Sequence, residues 1–175
     1  RDNLTFFDRS ISDDSILVLK NSYRDIPGFY ILSKGKETRL RVRDIATDDY
    51  FSYRNGRLVY TAYQSDARWT NRNYSVIRLY DIHTGEQRQV TTRSAFFSPD
   101  INESGTEVLA VQVKPDGTNR ICRIDASTGN ILKEVPNHRN YFFTQTRYLD
   151  AQTAITAARN PQGNMVLMKI NLENG

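Results

Sequence analysis

A single cysteine in 175 residues excludes an internal disulfide and any cysteine-built zinc site. Cys122 lies inside the apolar run R-I-C-R-I-D, where a buried, unreactive thiol is expected. No apolar stretch approaches the ~20 residues that a bilayer-crossing helix needs, so no direct membrane insertion is expected. A sustained 3.6-residue period is missing as well, which argues against a core made of helices. Charge of one sign is not gathered anywhere. The net charge is +4, with Lys and Arg scattered among Asp and Glu and no basic run longer than two or three residues. Proteins that hold nucleic acid collect positive charge on one stripe, so no nucleic-acid partner is expected. G-x-S-x-G, H-E-x-x-H and a Gly-rich phosphate loop are all absent, and the two histidines, His83 and His138, fall in loops at opposite ends of the predicted sheets. No catalytic residue, metal site or cofactor is therefore expected within this chain.

What the sequence does have is aromatic residues, ten Tyr and eight Phe, and a repeat. The stretch 95–135 divides into four short apolar runs separated by turn residues, the pattern of a four-stranded antiparallel sheet with tight hairpins. The glycine after the third run recurs as Gly35, Gly85, Gly129 and Gly175, at intervals of 50, 44 and 46 residues. The phenylalanines of the first run keep the same beat: Phe6 and Phe7, Phe51, Phe96 and Phe97, Phe142 and Phe143. A period of about 40 to 50 residues is that of a propeller blade. The fold class predicted is therefore all-β, a β-propeller of about four blades. The blades span 1–48, 49–93, 94–138 and 139–175 as one segment, and the last lacks its outermost strand. Predicted strands are 4–7, 16–20, 29–32 and 39–42; then 50–53, 58–63, 76–82 and 87–91; then 95–98, 107–113, 120–125 and 131–135; then 141–144, 153–158 and 165–171.

Second strands such as Val108-Leu109-Ala110-Val111 are apolar at successive positions, which requires both faces of the sheet to be covered, as neighbouring blades cover each other. Fourth strands such as Gln87-Arg88-Gln89 are polar, as an outer edge should be. The turns D-I-H-T-G and D-A-S-T-G place glycine where positive φ is needed and Asp where it can bond the turn backbone, a structural use of both. The first and last blades each leave an apolar face open, so self-association through those faces is expected. The chain opens at Arg1 without methionine or leader and is expected to belong to a longer protein.

Ser98-Pro99-Asp100, followed by Ser104-Gly105, the strand 108–113 and the 125–129 turn, resembles the WD40-like PD40 repeat of TolB-type β-propellers. The S-P-D signature occurs once, and the first blade shortens its turn to Ser33-Lys34-Gly35. The resemblance implies a ring of six to eight blades in the parent protein, a non-catalytic role in binding a protein or peptide, and a bacterial, periplasmic or cell-envelope location. A narrower likeness, in Asp66-Ala67-Arg68-Trp69 and Arg72-Asn73-Tyr74-Ser75, is to propellers that follow a zinc-peptidase-like domain in larger envelope proteins. It implies the alternative role of an accessory or gating domain whose catalytic unit lies outside this chain.

Loops between second and third strands, with the connections between blades, share one rim of a propeller. The longest, 64–74, carries Arg68, Trp69, Arg72 and Tyr74, side chains enriched at binding hot spots. Trp69 either folds back to pin its own loop or stands out as a contact residue. Tyr23 and Arg24 could extend the same patch, and the interblade segments add an acidic stretch at 44–49 and a basic one through His138 and Arg139. Mixed charge of this kind fits a protein or peptide rather than a polyanion. Lys114-Pro115-Asp116-Gly117 reads as a β-turn and not as a calcium loop.

Overall fold

The computed structural model describes residues 5–69 and 71–175, and for 5–10 the backbone only. The predicted strand residue Leu4 lies outside the described residues, as do the side chains of Phe6 and Phe7. The chain divides into two units, Arg1–Ile45 and Ala46–Gly175.

In the first unit, β1 (Thr5–Ser12), β2 (Ser15–Asn21), β3 (Gly28–Ser33) and β4 (Lys36–Val42) form one antiparallel sheet in chain order. Lys34 and Gly35, with φ of 49° and 75°, make the two-residue hairpin between β3 and β4, a backbone shape that glycine adopts without strain. Leu17, Val18, Leu19 and Phe29 are buried. Lys20 pairs with Glu37 at 2.6 Å and lies over the Tyr30 ring.

The second unit holds three sheets. The first is β5 (Phe51–Arg54), β6 (Arg57–Ser65), β7 (Asn73–Asp81) and β8 (Gln87–Gln89); the next is β9 (Phe96–Ile101), β10 (Glu107–Val113), β11 (Asn119–Asp125) and β12 (Ile131–Glu134). The last has only β13 (Phe142–Tyr148), β14 (Thr153–Arg159) and β15 (Met165–Asn171). The apolar periodicity of β10 divides between two cores. Val108 and Ala110 pack with Val59, Ile77 and Leu79 of the preceding sheet, and Leu109 and Val111 pack with Phe143, Ala154 and Ala158 of the following one. Cys122 is fully buried, and burial pushes its thiol up to about 11, the inert state expected of it.

The turns after the third strands repeat one geometry. Gly85, Gly129 and Gly175 donate their N–H to the carbonyls of Asp81, Asp125 and Asn171, whose side-chain oxygens accept two further backbone N–H groups. Gly129 carries a second demand: a Cβ there would collide with the Val90 carbonyl, where the preceding sheet's outer strand ends. Gly175 meets the Pro136 carbonyl in the same way.

The S-P-D triplet, expected at the end of a strand, lies within β9. Ser98 takes φ of 48° and the ladder gains an extra residue between Phe97 and Asp100. That bulge leaves Asp100 only 2% exposed, with Oδ2 accepting the Tyr148 N–H of the next sheet at 2.7 Å. Ser52, paired with the third residue of β6 as Asp100 is with the third of β10, accepts the Ile101 N–H at 3.3 Å. At the corresponding place in the last sheet stands Arg147. It reaches back to the carbonyls of Pro99 at 2.8 Å and Phe51 at 3.5 Å, and lies 3.7 Å from Asp100.

Candidate functional site

The β6–β7 loop is closed by a carboxylate. The Asp66 N–H donates to the Arg72 carbonyl, Oδ1 accepts the Arg68 N–H at 2.8 Å, and Oδ2 accepts the Tyr74 hydroxyl at 2.9 Å. These bonds, first from Arg68 and then from Tyr74, hold the Asp66 carboxyl below its ordinary value. Arg72 stacks over the Tyr74 ring, 5.6 Å from its centroid. Trp69 is 65% exposed, so the expectation that it pins the loop is corrected: Asp66 does that, because a short carboxylate can take several N–H and O–H donors at a turn while the indole offers one donor. Arg68, Trp69 and Arg72 are exposed on this loop.

The connection from β12 to β13 is closed by Asn137, whose side chain bonds both the N–H and the carbonyl of Tyr141. His138 and Arg139 stand exposed on it. They line a cleft of about 440 Å³ with Tyr141, Met168, Lys169 and Ile170. In the first unit, Ser22 Oγ accepts the N–H groups of Arg24 and Asp25, and the neighbouring Tyr23 is 97% exposed.

A second cavity, about 300 Å³, is lined by Arg54, Glu103, Glu107, Arg123, Tyr148 and Asp150 among others. Its charges engage one another. Arg123 forks onto Glu107 at 2.9 and 3.1 Å and reaches Glu173 at 2.5 Å, and Glu173 also takes Lys133. Burial, reinforced by Glu107, pushes the Tyr148 phenol up. Paired charges of this kind fasten neighbouring hairpins and leave little for a ligand.

No protein-family model matches the chain, and no curated protein sequence matches it. Solved structures do. A TolB protein from Agrobacterium tumefaciens superposes with a TM-score of 0.70 at 10% identity, over 93% of this chain and 59% of its own. The β-propeller domain of the Trilobed protease from Pyrococcus furiosus gives 0.59 at 13% identity, over 97% and 52%. A puromycin hydrolase gives 0.65 at 10% identity, over 94% of this chain and 26% of that one. The fold is a β-propeller.

Within the second unit the predicted site residues fall in two places. Arg68, Trp69, Arg72 and Tyr74 share one loop, and His138 and Arg139 line a cleft on the connection between the last two sheets. Tyr23 and Arg24 belong to the first unit. The sequence reading missed Lys169, Met168 and Tyr141 as cleft residues. Their signal was present only in combination, as an outermost strand known to be lacking and a basic segment beside it. The reading also missed Asp66, whose spacing to Arg68 marks an Asx turn.

Proposed function

We propose that this chain is a non-catalytic interaction module of a bacterial envelope protein that binds a protein or peptide through its long-loop rim. The observation that carries the reading is Trp69, 65% exposed between two arginines on a loop whose base Asp66 bonds to Arg68 and Tyr74. An exposed indole held at low conformational cost is an anchor, and flanking guanidinium groups supply directed donors. Trp69 is the sole tryptophan, so its fluorescence reports the rim directly. Partner binding shifts its emission to the blue and protects it from quenching. In the full-length protein, Trp69→Ala with Arg72→Ala weakens capture of cross-linked envelope partners by about tenfold or more. Unchanged capture with unchanged Trp69 emission overturns the reading.

A second reading has one observation in its favour, the likeness to propellers of peptidases, of which this chain spans about a quarter. The propeller would then be an accessory or gating domain of a peptidase. An H-E-x-x-H upstream of Arg1 or a G-x-S-x-G downstream of Gly175 in the parent gene supports it, and neither motif there removes it. Self-association belongs to the same proposal. The face of the last sheet turned away from its neighbour exposes Phe142, Ile155, Met165 and Leu167, and burying one such side chain is worth about 1.5 to 3 kcal/mol.

A further inference from the structure

The β6–β7 loop is tied to the segment that follows β8. At the start of β7 the Ser75 N–H donates to the Ser94 carbonyl at 2.8 Å, and the Ser94 hydroxyl donates back to the Ser75 carbonyl at 3.1 Å. That pairing brings Arg93 within electrostatic reach of Asp66. The Ala95 carbonyl then accepts the Val113 N–H at 2.9 Å, so the β10–β11 turn, with Lys114 and Asp116, is the next element along.

Three exposed guanidinium groups, those of Arg68, Arg72 and Arg93, therefore stand on two adjoining segments beside the exposed Trp69. Among the described residues none of the three makes a side-chain hydrogen bond or an ion pair. The carboxylates nearby are used by the protein itself. Asp66 accepts the Arg68 N–H and the Tyr74 hydroxyl, and Asp116 accepts the N–H and hydroxyl of Thr118 at 2.9 and 2.6 Å. Lys114 answers the charge of Asp116, which leaves Asp66 alone against three arginines. On the connection into β5, Asp48 and Asp49 are half-buried and each already has a partner. Asp48 is bonded to Thr61, well down β6 from Ser65 where the loop begins, about 13 Å at the rise of a strand and beyond a screening length of about 8 Å.

Arg72 is the best placed of the three. Its guanidinium lies over the Tyr74 ring, whose hydroxyl is bonded to Asp66. A guanidinium laid on a ring keeps its in-plane N–H groups free, and those can fork onto a carboxylate.

We propose that this rim takes an acidic segment of a partner protein in which an apolar or aromatic side chain lies between carboxylates. The apolar side chain packs on Trp69, one carboxylate is held in the Arg72 fork, and others meet Arg68 and Arg93. Three guanidinium groups call for more than the single carboxylate at a chain's C-terminus, so the acidic groups are side chains. The proposal rests on the reading of the Trp69 loop as the binding surface, and adds to it the class of partner and a part for Arg93.

The test selects short random peptides displayed on phage against the immobilised full chain at low ionic strength. Trp69→Ala, and Arg72→Glu with Arg93→Glu, are run in parallel, each checked for unchanged circular dichroism. The unaltered chain enriches peptides with Asp or Glu on both sides of an apolar or aromatic residue, and the charge-reversed chain exchanges them for peptides rich in Lys and Arg. A recovered acidic peptide, made synthetically, shifts the Trp69 emission, and Arg72→Gln weakens its binding by about tenfold or more. Arg93→Gln and added salt each weaken it too. Neutral or basic peptides whose recovery still depends on Trp69 overturn this proposal and leave the rim reading standing. Recovery of the same peptides on Trp69→Ala, or of none on any chain, overturns both. Displacement of the acidic peptide by a single-stranded oligonucleotide at matched charge assigns the rim to a polyanion and overturns the proposal as well.

Discussion

The sheets β9–β12 and β13–β15 share a turn, a strand spacing and a second strand that begins at the same point of the repeat, yet they live in different surroundings. β10 is buried at four consecutive positions, Val108 to Val111, because a neighbour covers each face. β14 alternates. Ala154, Thr156 and Ala158 are buried, while Ile155, the counterpart of Leu109, is 38% exposed. Each sheet therefore borrows much of its stability from the sheets beside it, the nearest-neighbour behaviour of a repeat protein.

The sharpest way to test that contrast is to cut both counterparts back. Leu109→Ala should destabilise the protein by about 2 to 5 kcal/mol in urea unfolding, and Ile155→Ala by well under half as much, since truncating an open site leaves no cavity. Equal losses would mean that the open face is covered in solution. Next comes the seam between sheets. Gly129→Ala should cost about 2 kcal/mol or more, combining a strained φ of 76° with a collision against the Val90 carbonyl. Gly117→Ala, at φ of 82° with nothing nearby, should cost only about 1 kcal/mol.

The open face itself is probed by Leu167→Glu. Sedimentation should show less self-association than for the unaltered chain, with little change in unfolding midpoint, because Leu167 is 73% exposed. The smallest effect concerns pH. Bonds from the Ser127 hydroxyl and the Thr128 N–H lower the Asp125 carboxyl to about 2 from an ordinary 3.8. A carboxyl lowered on folding stabilises the protein above its unfolded value, and that contribution is lost as pH falls from 3.8 toward 2. Asn171 holds the same turn without titrating. Asp125→Asn should flatten the acid limb of stability over that window, and Asn171→Asp should steepen it.

Much of this architecture was legible because it is local and periodic. The turn glycines and apolar second strands declare themselves within a few residues, and the predicted strands from β2 to β15 are all present, most of them longer than predicted by one to three residues, with β8 and β12 shorter. The fastenings between sheets were not legible. Asp100 meets the Tyr148 N–H across 48 residues, and nothing in S-P-D says that its serine makes a bulge or that its aspartate faces the next sheet. The rim loop could be named but not its closure, since the aromatic side chain drew attention from the aspartate beside it. The cleft at His138 and Arg139 was half visible. The basic residues were noted, and the lacking outer strand was noted, but only the folded chain brings Lys169 beside them.

Arg147 carries a consequence for assembly. Ser52 and Asp100 each hand an oxygen forward to the succeeding sheet, whereas Arg147 has only hydrogens to give and directs them backward. A further sheet arriving beyond β13 with the same backbone would offer its amide to a guanidinium, so it must carry its own acceptor to be fastened there. The polarity of the inner seam thus reverses at this one side chain, and whatever sits next to it has to be chemically unlike the sheets already in place.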